Sequence, residues 1–367
     1  MDANSNLRVG IDGRSLRGFI QGSRTGVARY CWELCTELAK ELPRAKFIVY
    51  SPVEIELPVE NENWICRTEK SKIFSKLPAI LWTKFRCGEL AAKDNLDVFW
   101  GAASFLPKLS KQTKKILTVY DLTYKVVPSS MELRHKLAFQ AFLSRDVRKA
   151  DCITSISMGT SAKMQKYLSR KADEIIYPAI QNHFSASLSV TDDKLAKSQI
   201  ENPYILTVGT FEPRKNLLLL INSIAFLKDC GHLSNIDLVV VGGKGWRNKE
   251  IYTALEKYPW IKCLGFQSDA ILSSLYTNCE FFAFPSIYEG FGMPVLEARY
   301  FRKKIITTDA DELREAGGGQ AYYAQNNIES FSKQLMQCYL DNDVCTDELQ
   351  WPTWRDGAKI MASLMRE

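Results

Sequence analysis

The chain has 367 residues, of which 46% are hydrophobic and 25% charged, and its formal net charge is +6. This length favours two domains with a core each, and the lack of an apolar run of roughly 18 residues argues against a membrane-spanning helix. The ten cysteines form no C-x-x-C pair and the three histidines are scattered, which argues against a disulfide framework and a zinc site.

The first half of the chain alternates short apolar runs with helical patterns. Apolar runs typical of buried strands lie at residues 7–11, 46–50, 96–100, 115–120, 152–155 and 174–177. Amphipathic periodicity predicts helices at residues 27–42, 131–149 and 159–168. This alternation predicts an α/β domain with a mostly parallel sheet covered by helices.

A break separates this half from the next. Tyr177-Pro178 ends the alternation, and the polar stretch 181–201 runs into Asn202-Pro203. We therefore predict a first domain of residues 1–182 and a second of residues 183–349. The first 182 residues carry a formal charge of +10 and the remainder −4, so we expect the basic half to meet an anionic surface.

The alternating pattern resumes in the second half. Apolar runs at residues 204–209, 236–241, 260–264, 280–284 and 304–308 predict strands. Helices are predicted at residues 216–228, 249–257, 270–277 and 294–301, followed by an amphipathic tail at 351–365. The pattern predicts a second doubly wound, Rossmann-like domain. In such sheets ligands bind beyond the carboxyl ends of the strands, so we expect the site in the loops of a cleft between two domains.

The first informative loop is residues 210–216, Thr-Phe-Glu-Pro-Arg-Lys-Asn. Arg214 and Lys215 lie where a helix begins, and a helix amino terminus offers free N–H groups and a partial positive charge. The pair is either a solvated basic turn or a clamp for a diphosphate, which arginine can bind through two parallel hydrogen bonds.

The second informative loop is residues 285–294, Pro-Ser-Ile-Tyr-Glu-Gly-Phe-Gly-Met-Pro. Its two glycines let the backbone approach a ligand, and Pro294 suits the first turn of a helix. Glu289 in the loop and Glu297 in that first turn are either a surface and a capping carboxylate or acceptors for the hydroxyls of a sugar and a ribose. Because Arg214 and Lys215 precede them in the chain, we favour the interpretation in which the two carboxylates bind hydroxyls.

Residues 289–297 resemble the E-x7-E signature of the retaining glycosyltransferases with the GT-B fold, grouped as family 4. The resemblance covers most of the chain, through similar segments at residues 10–14, 24–30, 119–124, 206–217, 238–246, 264–268 and 351–365. The amino-terminal segments are similar to those of polysaccharide mannosyl- and rhamnosyltransferases in this group. The resemblance implies two Rossmann-like domains facing across a cleft, with a final helix, residues 350–367, returning to the first domain.

The resemblance also implies roles for residues of the second domain. Arg214 and Lys215 would bind the donor diphosphate. Glu297 would hold the ribose hydroxyls, and Glu289 would hold hydroxyls of the transferred sugar. Four further residues would lie beside the sugar or the base: Phe291, Gly292, Gly265 and Phe266.

In the first domain, the resemblance implies that Gly26 lets the backbone approach the phosphates and that Asp121 lines the acceptor side. The family usually has a histidine, which commonly touches the donor sugar near C6, where this chain has Tyr120. A tyrosine there could give one hydrogen bond, and its apolar ring would tolerate the methyl group of a 6-deoxy sugar. The catalytic candidates are Glu289, Asp121, Arg214 and Lys215.

The family retains anomeric configuration and needs no metal, so we expect no cofactor. Arg214, Lys215 and the helix amino terminus before Pro294 would stabilise negative charge on a leaving nucleoside diphosphate. We expect an oxocarbenium-like transition state, attacked by the acceptor on the departing face, with a donor phosphate oxygen taking the proton. Asp309-Ala-Asp311 has the spacing of a metal-binding D-x-D motif, but that motif belongs to a different glycosyltransferase fold.

Residues 67–93 interleave seven lysines and arginines with large apolar side chains. This mixture suits either an anionic membrane surface or an ordinary amphipathic helix with snorkelling lysines. We expect peripheral contact with the inner face of a membrane, which a lipid-linked acceptor would require. The polar amino terminus lacks an apolar signal core, so we expect a cytosolic protein.

We expect the protein to transfer a hexose from a GDP-sugar to a glycan or lipid-linked oligosaccharide in cell-surface polysaccharide synthesis. Mannose is the first choice for that hexose. A 6-deoxyhexose or UDP-sugar donor stays open, as does a nucleotide-sugar epimerase or phosphorylase on the same fold. A dinucleotide-dependent oxidoreductase would need G-x-G-x-x-G where the chain has Gly10-Ile-Asp-Gly-Arg14. No nucleic-acid partner is expected, because the chain lacks the pattern of a nucleic-acid-binding module.

Overall fold

The chain forms two compact units in a computed structural model, which describes residues 7–16, 25–180, 184, 200–243, 245, 249–342 and 350–367. The first unit comprises Met1–Ala179 and Pro352–Glu367, and the second comprises Ile180–Trp351. The predicted boundary after residue 182 lies three residues beyond this division, and the predicted linker at 181–201 lies almost wholly outside the described residues.

The first unit is built on a seven-stranded parallel sheet with the order β3-β2-β1-β4-β5-β6-β7. The strands are β1 Arg8–Asp12, β2 Lys46–Ser51, β3 Trp64–Thr68, β4 Val98–Gly101, β5 Lys114–Val119, β6 Cys152–Ser155 and β7 Glu174–Ile175. The sequence did not predict β3. It is an edge strand of the described sheet and pairs with β2, where the Trp64 ring stacks on Phe47 at 4.3 Å.

The second unit is built on a six-stranded parallel sheet with the order β10-β9-β8-β11-β12-β13. The strands are β8 Tyr204–Val208, β9 Asp237–Val241, β10 Ile261–Gly265, β11 Phe281–Phe284, β12 Ile305–Thr308 and β13 Ala321–Ala324. In both sheets the first three strands are added one after another on one side. The fourth strand then pairs with the other side of the first strand, and the remaining strands follow it. In the second unit this change of side lies between β8 and β11, and loops at such a switch point commonly bind ligands.

In the part of the chain that the structure describes, ten longer helices cover the sheets. They are α1 Gly26–Glu41, α2 Leu133–Lys149, α3 Met158–Leu168, α4 Leu217–Asp229, α5 Lys249–Lys257, α6 Asp269–Asn278, α7 Met293–Tyr300, α8 Asp311–Gly317, α9 Ile328–Leu340 and α10 Trp354–Arg366. The sequence did not predict α8, α9 or β13. Among the described residues, no helix is long and apolar enough to span a bilayer.

The last helix, α10, packs in the first unit against α1. It begins at a capping box in which the Thr353 hydroxyl and the Asp356 carboxylate bond each other's backbone N–H groups. Its apolar stripe is buried, and the Trp354 ring meets Tyr30 of α1 edge to face at 5.5 Å. The periodic apolar face therefore finds the packing surface that the sequence requires.

Two glycines allow the ends of β8 and β9 to approach each other. Gly242 has a φ of +155°, and a Cβ there would lie 1.9 Å from the carbonyl oxygen of Gly209. No side chain can be accommodated at that distance, so the glycine after β9 is required by the backbone contact. This contact places the loops after the two strands side by side at the carboxyl edge of the sheet.

Candidate functional site

Three of the predicted site residues meet at the switch point of the second unit. Arg214 and Lys215 lie in the 3-10 turn Pro213–Lys215 after β8, and Glu289 lies in the loop after β11. Lys215 Nζ is 2.6 Å from Glu289 Oε1, and Arg214 Nη1 is 2.6 Å from Glu289 Oε2. The three side chains are 10–18% exposed, so they form a largely buried cluster with an open side.

Hydrogen bonds join the two loops that carry these residues. The N–H of Ile287 donates to the Arg214 carbonyl at 2.9 Å, and Arg214 Nη1 donates to the Tyr288 carbonyl at 2.7 Å. The hydroxyl of Ser286, which is fully buried, donates to Glu289 Oε1 at 2.6 Å. Since β8 and β11 are adjacent in the sheet, these bonds fix the basic turn against the acidic loop.

The charges of the cluster favour an anionic ligand. Burial alone would raise the pKa of Glu289, but the Arg214 and Lys215 charges outweigh burial and lower this pKa to about 2. Burial lowers the pKa of Lys215, and the Glu289 carboxylate opposes that effect. Glu289 and, at 3.8 Å, Glu212 thus hold two adjacent cations at the carboxyl edge of the sheet, and two cations in one turn can bind the oxygens of a phosphate group.

The corresponding point of the first unit, between β1 and β4, has a different electrostatic character. There, Arg14 Nη2 pairs with the fully buried Asp12 at 2.6 Å and donates to the Ala103 carbonyl at 3.0 Å. Arg14 is thus neutralised by a partner two residues away. The second unit differs in having two adjacent cations at its switch point, where this part of the first unit has the single pair of Arg14 and Asp12.

Glu297 has a separate environment in the same unit. It is the fifth residue of α7, one residue further into the helix than predicted and just past the first turn, and it is 5% exposed. The phenol of Tyr276, on α6, donates to Glu297 Oε2 at 2.9 Å, while its ring stacks on Phe301 at 5.3 Å. Tyr276 therefore orients the carboxylate that we predict to hold the ribose.

The two residues between the acidic loop and α7 shape the backbone there. Phe291 is 2% exposed, so its ring is part of the core. Gly292 has a φ of +109°, and a Cβ there would lie 2.7 Å from Leu313 Cδ2 of α8. Because a left-handed φ favours glycine, this residue sets the turn that enters α7.

Gly265 and Phe266, which we predict to lie near the nucleotide base, are at the end of β10, an edge strand of the second sheet. Gly265 ends β10 with a φ of +67°, and the following Phe266 ring is 61% exposed. The exposed ring is at the carboxyl end of its strand, two strands away from β8. Its proposed contact with a base stays a prediction.

The predicted residues of the first unit lie at its strand ends and at a helix start. Gly26 is the first residue of α1 and is exposed, with space for a Cβ. Asp121, just after β5, accepts a hydrogen bond from the Thr123 N–H at 2.7 Å. The acceptor-side role of Asp121 and the phosphate contact of Gly26 stay predictions.

Tyr120 lies just after β5 and is buried in the first unit. Its hydroxyl donates to the Ala102 carbonyl at 2.7 Å and lies 3.2 Å from Cys31 Sγ, and the residue is 6% exposed. The ring meets Tyr30 edge to face at 5.4 Å. The hydroxyl is thus hydrogen-bonded inside the first unit, and the contact of Tyr120 with the donor sugar, a 6-deoxy sugar included, stays a prediction.

Two partners of the carboxylates were not predicted from the sequence, namely Ser286 and Tyr276. Ser286 lies three residues before Glu289, and a hydroxyl at that spacing in a tight loop is a signal that could have been used. Tyr276 lies 21 residues before Glu297, and no local pattern links the two.

The Asp309-Ala-Asp311 stretch has a local structural role. Asp309 forms an ion pair with Arg314, and Asp311 is the first residue of α8. The Arg314 ion pair gives the Asp309 carboxylate a structural role, and the position at the start of α8 gives one to Asp311. Within the described ranges, no cluster of three or more potential metal-ligating side chains occurs.

Comparison with known proteins agrees with this architecture. Residues 191–348 match the family model described as Glycosyl transferases group 1. O-antigen chain mannosyltransferase B of Escherichia coli is 24% identical over 345 residues, which cover 87% of this chain and 88% of that protein.

Two solved structures share the fold over nearly the whole chain. WaaG, a glycosyltransferase involved in lipopolysaccharide biosynthesis, has a TM-score of 0.68 at 16% identity, with 97% of this chain and 95% of that chain covered. Anabaena Alr3699/HepE in complex with UDP and glucose has a TM-score of 0.62 at 15% identity, with 98% and 96% covered. The second unit therefore carries the match to the group 1 glycosyltransferases, and the chain as a whole has the GT-B fold.

Proposed function

We propose that this protein transfers a hexose, with mannose as the first choice, from a nucleotide-sugar donor to a glycan or lipid-linked acceptor in cell-surface polysaccharide synthesis. The observation that carries the proposal is the cluster of Arg214, Lys215 and Glu289 at the switch point of the second unit. The choice of mannose, and hence of GDP-mannose, is supported by the similarity to O-antigen chain mannosyltransferase B along most of both chains.

The cation pair supplies what departure of a nucleoside diphosphate needs. As the glycosidic bond breaks, negative charge grows on the β-phosphate, and preorganised cations stabilise that charge most in a partly dry site. Each such donor contributes about 3–4 kcal/mol to a transition state in well-studied enzymes. Arg214 and Lys215 are held in place before the donor arrives, by Glu289 and by the Tyr288 carbonyl. They supply this charge themselves, so we propose a reaction without a resident metal.

Glu289 links the diphosphate to the sugar in this proposal. Its carboxylate is ionised at neutral pH, because the two cations lower its pKa to about 2. An ionised carboxylate accepts hydrogen bonds from sugar hydroxyls while balancing the cations behind it. We propose that the acceptor then attacks from the departing face, with a donor phosphate oxygen as the base, which retains the anomeric configuration.

Product analysis tests this proposal. The protein is incubated with GDP-mannose, GDP-fucose, UDP-glucose or UDP-N-acetylglucosamine and a panel of lipid-linked and free glycans, and the anomeric configuration of the product is read by NMR. We expect transfer of mannose with retention. An inverted product contradicts the mechanism, and preferred transfer from a UDP-sugar contradicts the donor assignment.

We also propose peripheral membrane contact, through a narrower surface than residues 67–93. That stretch is not one helix but contains the end of β3, the 3-10 turn Phe74–Lys76 and short helical turns. Several of its charges are used internally: Lys84 pairs with Asp146 and Arg86 with Glu69. The exposed residues that remain together in sequence are Lys70, Lys72, Ile73, Phe74 and Lys76, here called the 70–76 patch.

Vesicle flotation tests the 70–76 patch. We expect the protein to float with vesicles rich in anionic lipid at low salt and less with neutral vesicles, since each surface lysine contributes roughly 1 kcal/mol near an anionic leaflet. Ile73→Glu, at a residue that is 78% exposed, should weaken flotation. Leu340→Glu, at a residue of the second unit that is 65% exposed, is the control and should not. Equal flotation with both vesicle types contradicts the proposal.

A further inference from the structure

Trp351 is the last residue of the second unit, and it packs on the loop that carries Glu289. Its ring centroid lies 5.5 Å from that of Phe291, and the guanidinium carbon of Arg299 lies 5.8 Å from the Trp351 centroid, over the ring. The indole thus contacts both an aromatic ring and a cation, two interactions that stabilise aromatic side chains beyond simple burial.

The two partners of Trp351 belong to the segment that connects the predicted sugar and ribose carboxylates. Phe291 lies between Glu289 and the start of α7, and its buried ring cannot shift without moving that loop. Arg299 lies on α7 and donates through Nη1 to the Ala316 carbonyl of α8 at 2.8 Å. Trp351 therefore packs both on the loop that carries Glu289 and on α7, the helix that follows it.

The chain continues from Trp351 directly into the other unit. Only Pro352 and Thr353 separate it from Trp354, the first residue of α10, whose buried ring packs on Tyr30 of α1. This passage of the chain from the second unit to the first, one of two between the units, therefore has a packed indole on each side of it. The indole on the second unit is the one that contacts the Glu289 loop.

We propose that Trp351 is a positioning residue for the donor loop, residues 289–292, which it holds in place through Phe291 and Arg299. The proposal rests on the function proposed above for Glu289 and assigns no substrate contact to Trp351. Removing the indole frees Phe291 on one side, so the loop loses its fixed position and the donor must order it on binding. That ordering weakens donor affinity.

Hydrogen exchange of the ligand-free protein tests the positioning directly. Trp260→Ala is a matched control, because Trp260 in the same unit also packs on an aromatic ring, Tyr258 at 4.8 Å, and under a cation, Lys228 at 5.4 Å. We expect Trp351→Ala to speed exchange in peptides that cover residues 289–292 and Trp260→Ala to leave them unchanged. Unchanged exchange in Trp351→Ala, or equal acceleration in both variants, overturns the proposal.

Donor binding gives a second measurement. We expect Trp351→Ala to raise the dissociation constant of the nucleotide sugar roughly tenfold, the value of one or two aromatic contacts, and Trp351→Phe to restore most of it. Trp260→Ala should bind the donor as the wild type does. If the wild type binds a donor and Trp351→Ala binds it equally well, the positioning role is wrong. If the wild type binds no nucleotide sugar, the proposed function falls, and the exchange data still decide whether Trp351 holds the loop.

Discussion

Glu289→Gln should slow sugar transfer about 10²–10³-fold and yet leave the affinity for a free nucleoside diphosphate unchanged or increased. The two effects differ because we assign Glu289 two roles. Its carboxylate is proposed to bind the sugar, so its loss weakens the transition state. In the ligand-free protein it also occupies Arg214 and Lys215 at 2.6 Å each, so its loss removes a competitor of the diphosphate. Steady-state kinetics and calorimetric titration measure the two effects.

The same substitution has a cost in stability that must be separated from activity. Without the Glu289 carboxylate, Arg214 and Lys215 each lose an ion pair at 2.6 Å in a largely buried site, which should lower the free energy of unfolding by about 3 kcal/mol at neutral pH. Glu212→Gln is the matched control, because the Glu212 carboxylate lies 3.8 Å from Arg214 Nη2, whereas the Glu289 carboxylate pairs with both cations at 2.6 Å. It should transfer sugar at nearly the wild-type rate. A Glu289→Gln enzyme that also transfers normally would remove Glu289 from the site.

The pH dependence of stability has a defined sign at this residue. The pKa of Glu289 is lowered from 4.5 to about 2 in the folded protein, so its ion pairs stabilise the native state above pH 4.5. This contribution is lost as the pH falls from about 4.5 towards 2. Between pH 4.5 and 2, Glu289→Gln should therefore lose less stability than the wild type. Thermal melts across this pH range would measure the difference.

Lys215→Met should reduce the affinity for a nucleoside diphosphate and the rate of transfer together, each by about 10²-fold. The substitution keeps most of the side-chain volume and removes the charge that meets both Glu289 and, as proposed, the phosphate. Since the interaction is made with the bound nucleotide and strengthened in the transition state, both the dissociation constant and the rate should change. Titration with the diphosphate and initial rates give the two values.

Lys228→Met is the control for Lys215→Met. Lys228 is also partly buried in the second unit, where its Nζ donates to the Leu233 and Ile236 carbonyls, and burial likewise lowers its pKa. Its replacement should cost stability and leave nucleotide binding intact. If the two variants weaken nucleotide binding equally, the effect of Lys215 is one of folding and not of phosphate recognition.

Much of the fold could be predicted because fully buried parallel strands read as continuous apolar runs. The stretches that form β8 and β11, Tyr-Ile-Leu-Thr-Val and Phe-Phe-Ala-Phe, are of this kind, and predicted bounds lie within three residues of those observed. The short β3 was missed since, as an edge strand, it mixes polar and apolar residues. For α9 the signal was present, in the Asn327 cap and in Phe331, Leu335 and Cys338 at helical spacing.

In the candidate site too, the residues with a local sequence signal could be predicted, and the contacts that depend on tertiary packing could not. Arg214, Lys215 and Glu289 were identified from loop chemistry, and the adjacency of β8 and β11 brings the two loops together. The bond from Tyr276 to Glu297 depends on how α6 packs beside α7, which no local pattern encodes. The burial of Tyr120 is of the same type, because its partner Ala102 follows a different strand.

Calorimetric titration of the wild-type protein with GDP and then with GMP tests the central claim most directly, because the two ligands differ by the one phosphate that Arg214 and Lys215 are proposed to hold. A charge-assisted contact contributes about 1.5–3 kcal/mol, so GDP should bind at least tenfold more tightly than GMP. The preference should disappear in Lys215→Met. Equal affinity of the wild type for GDP and GMP, or no binding of either together with none of UDP, would contradict the assignment of this cluster as a diphosphate site.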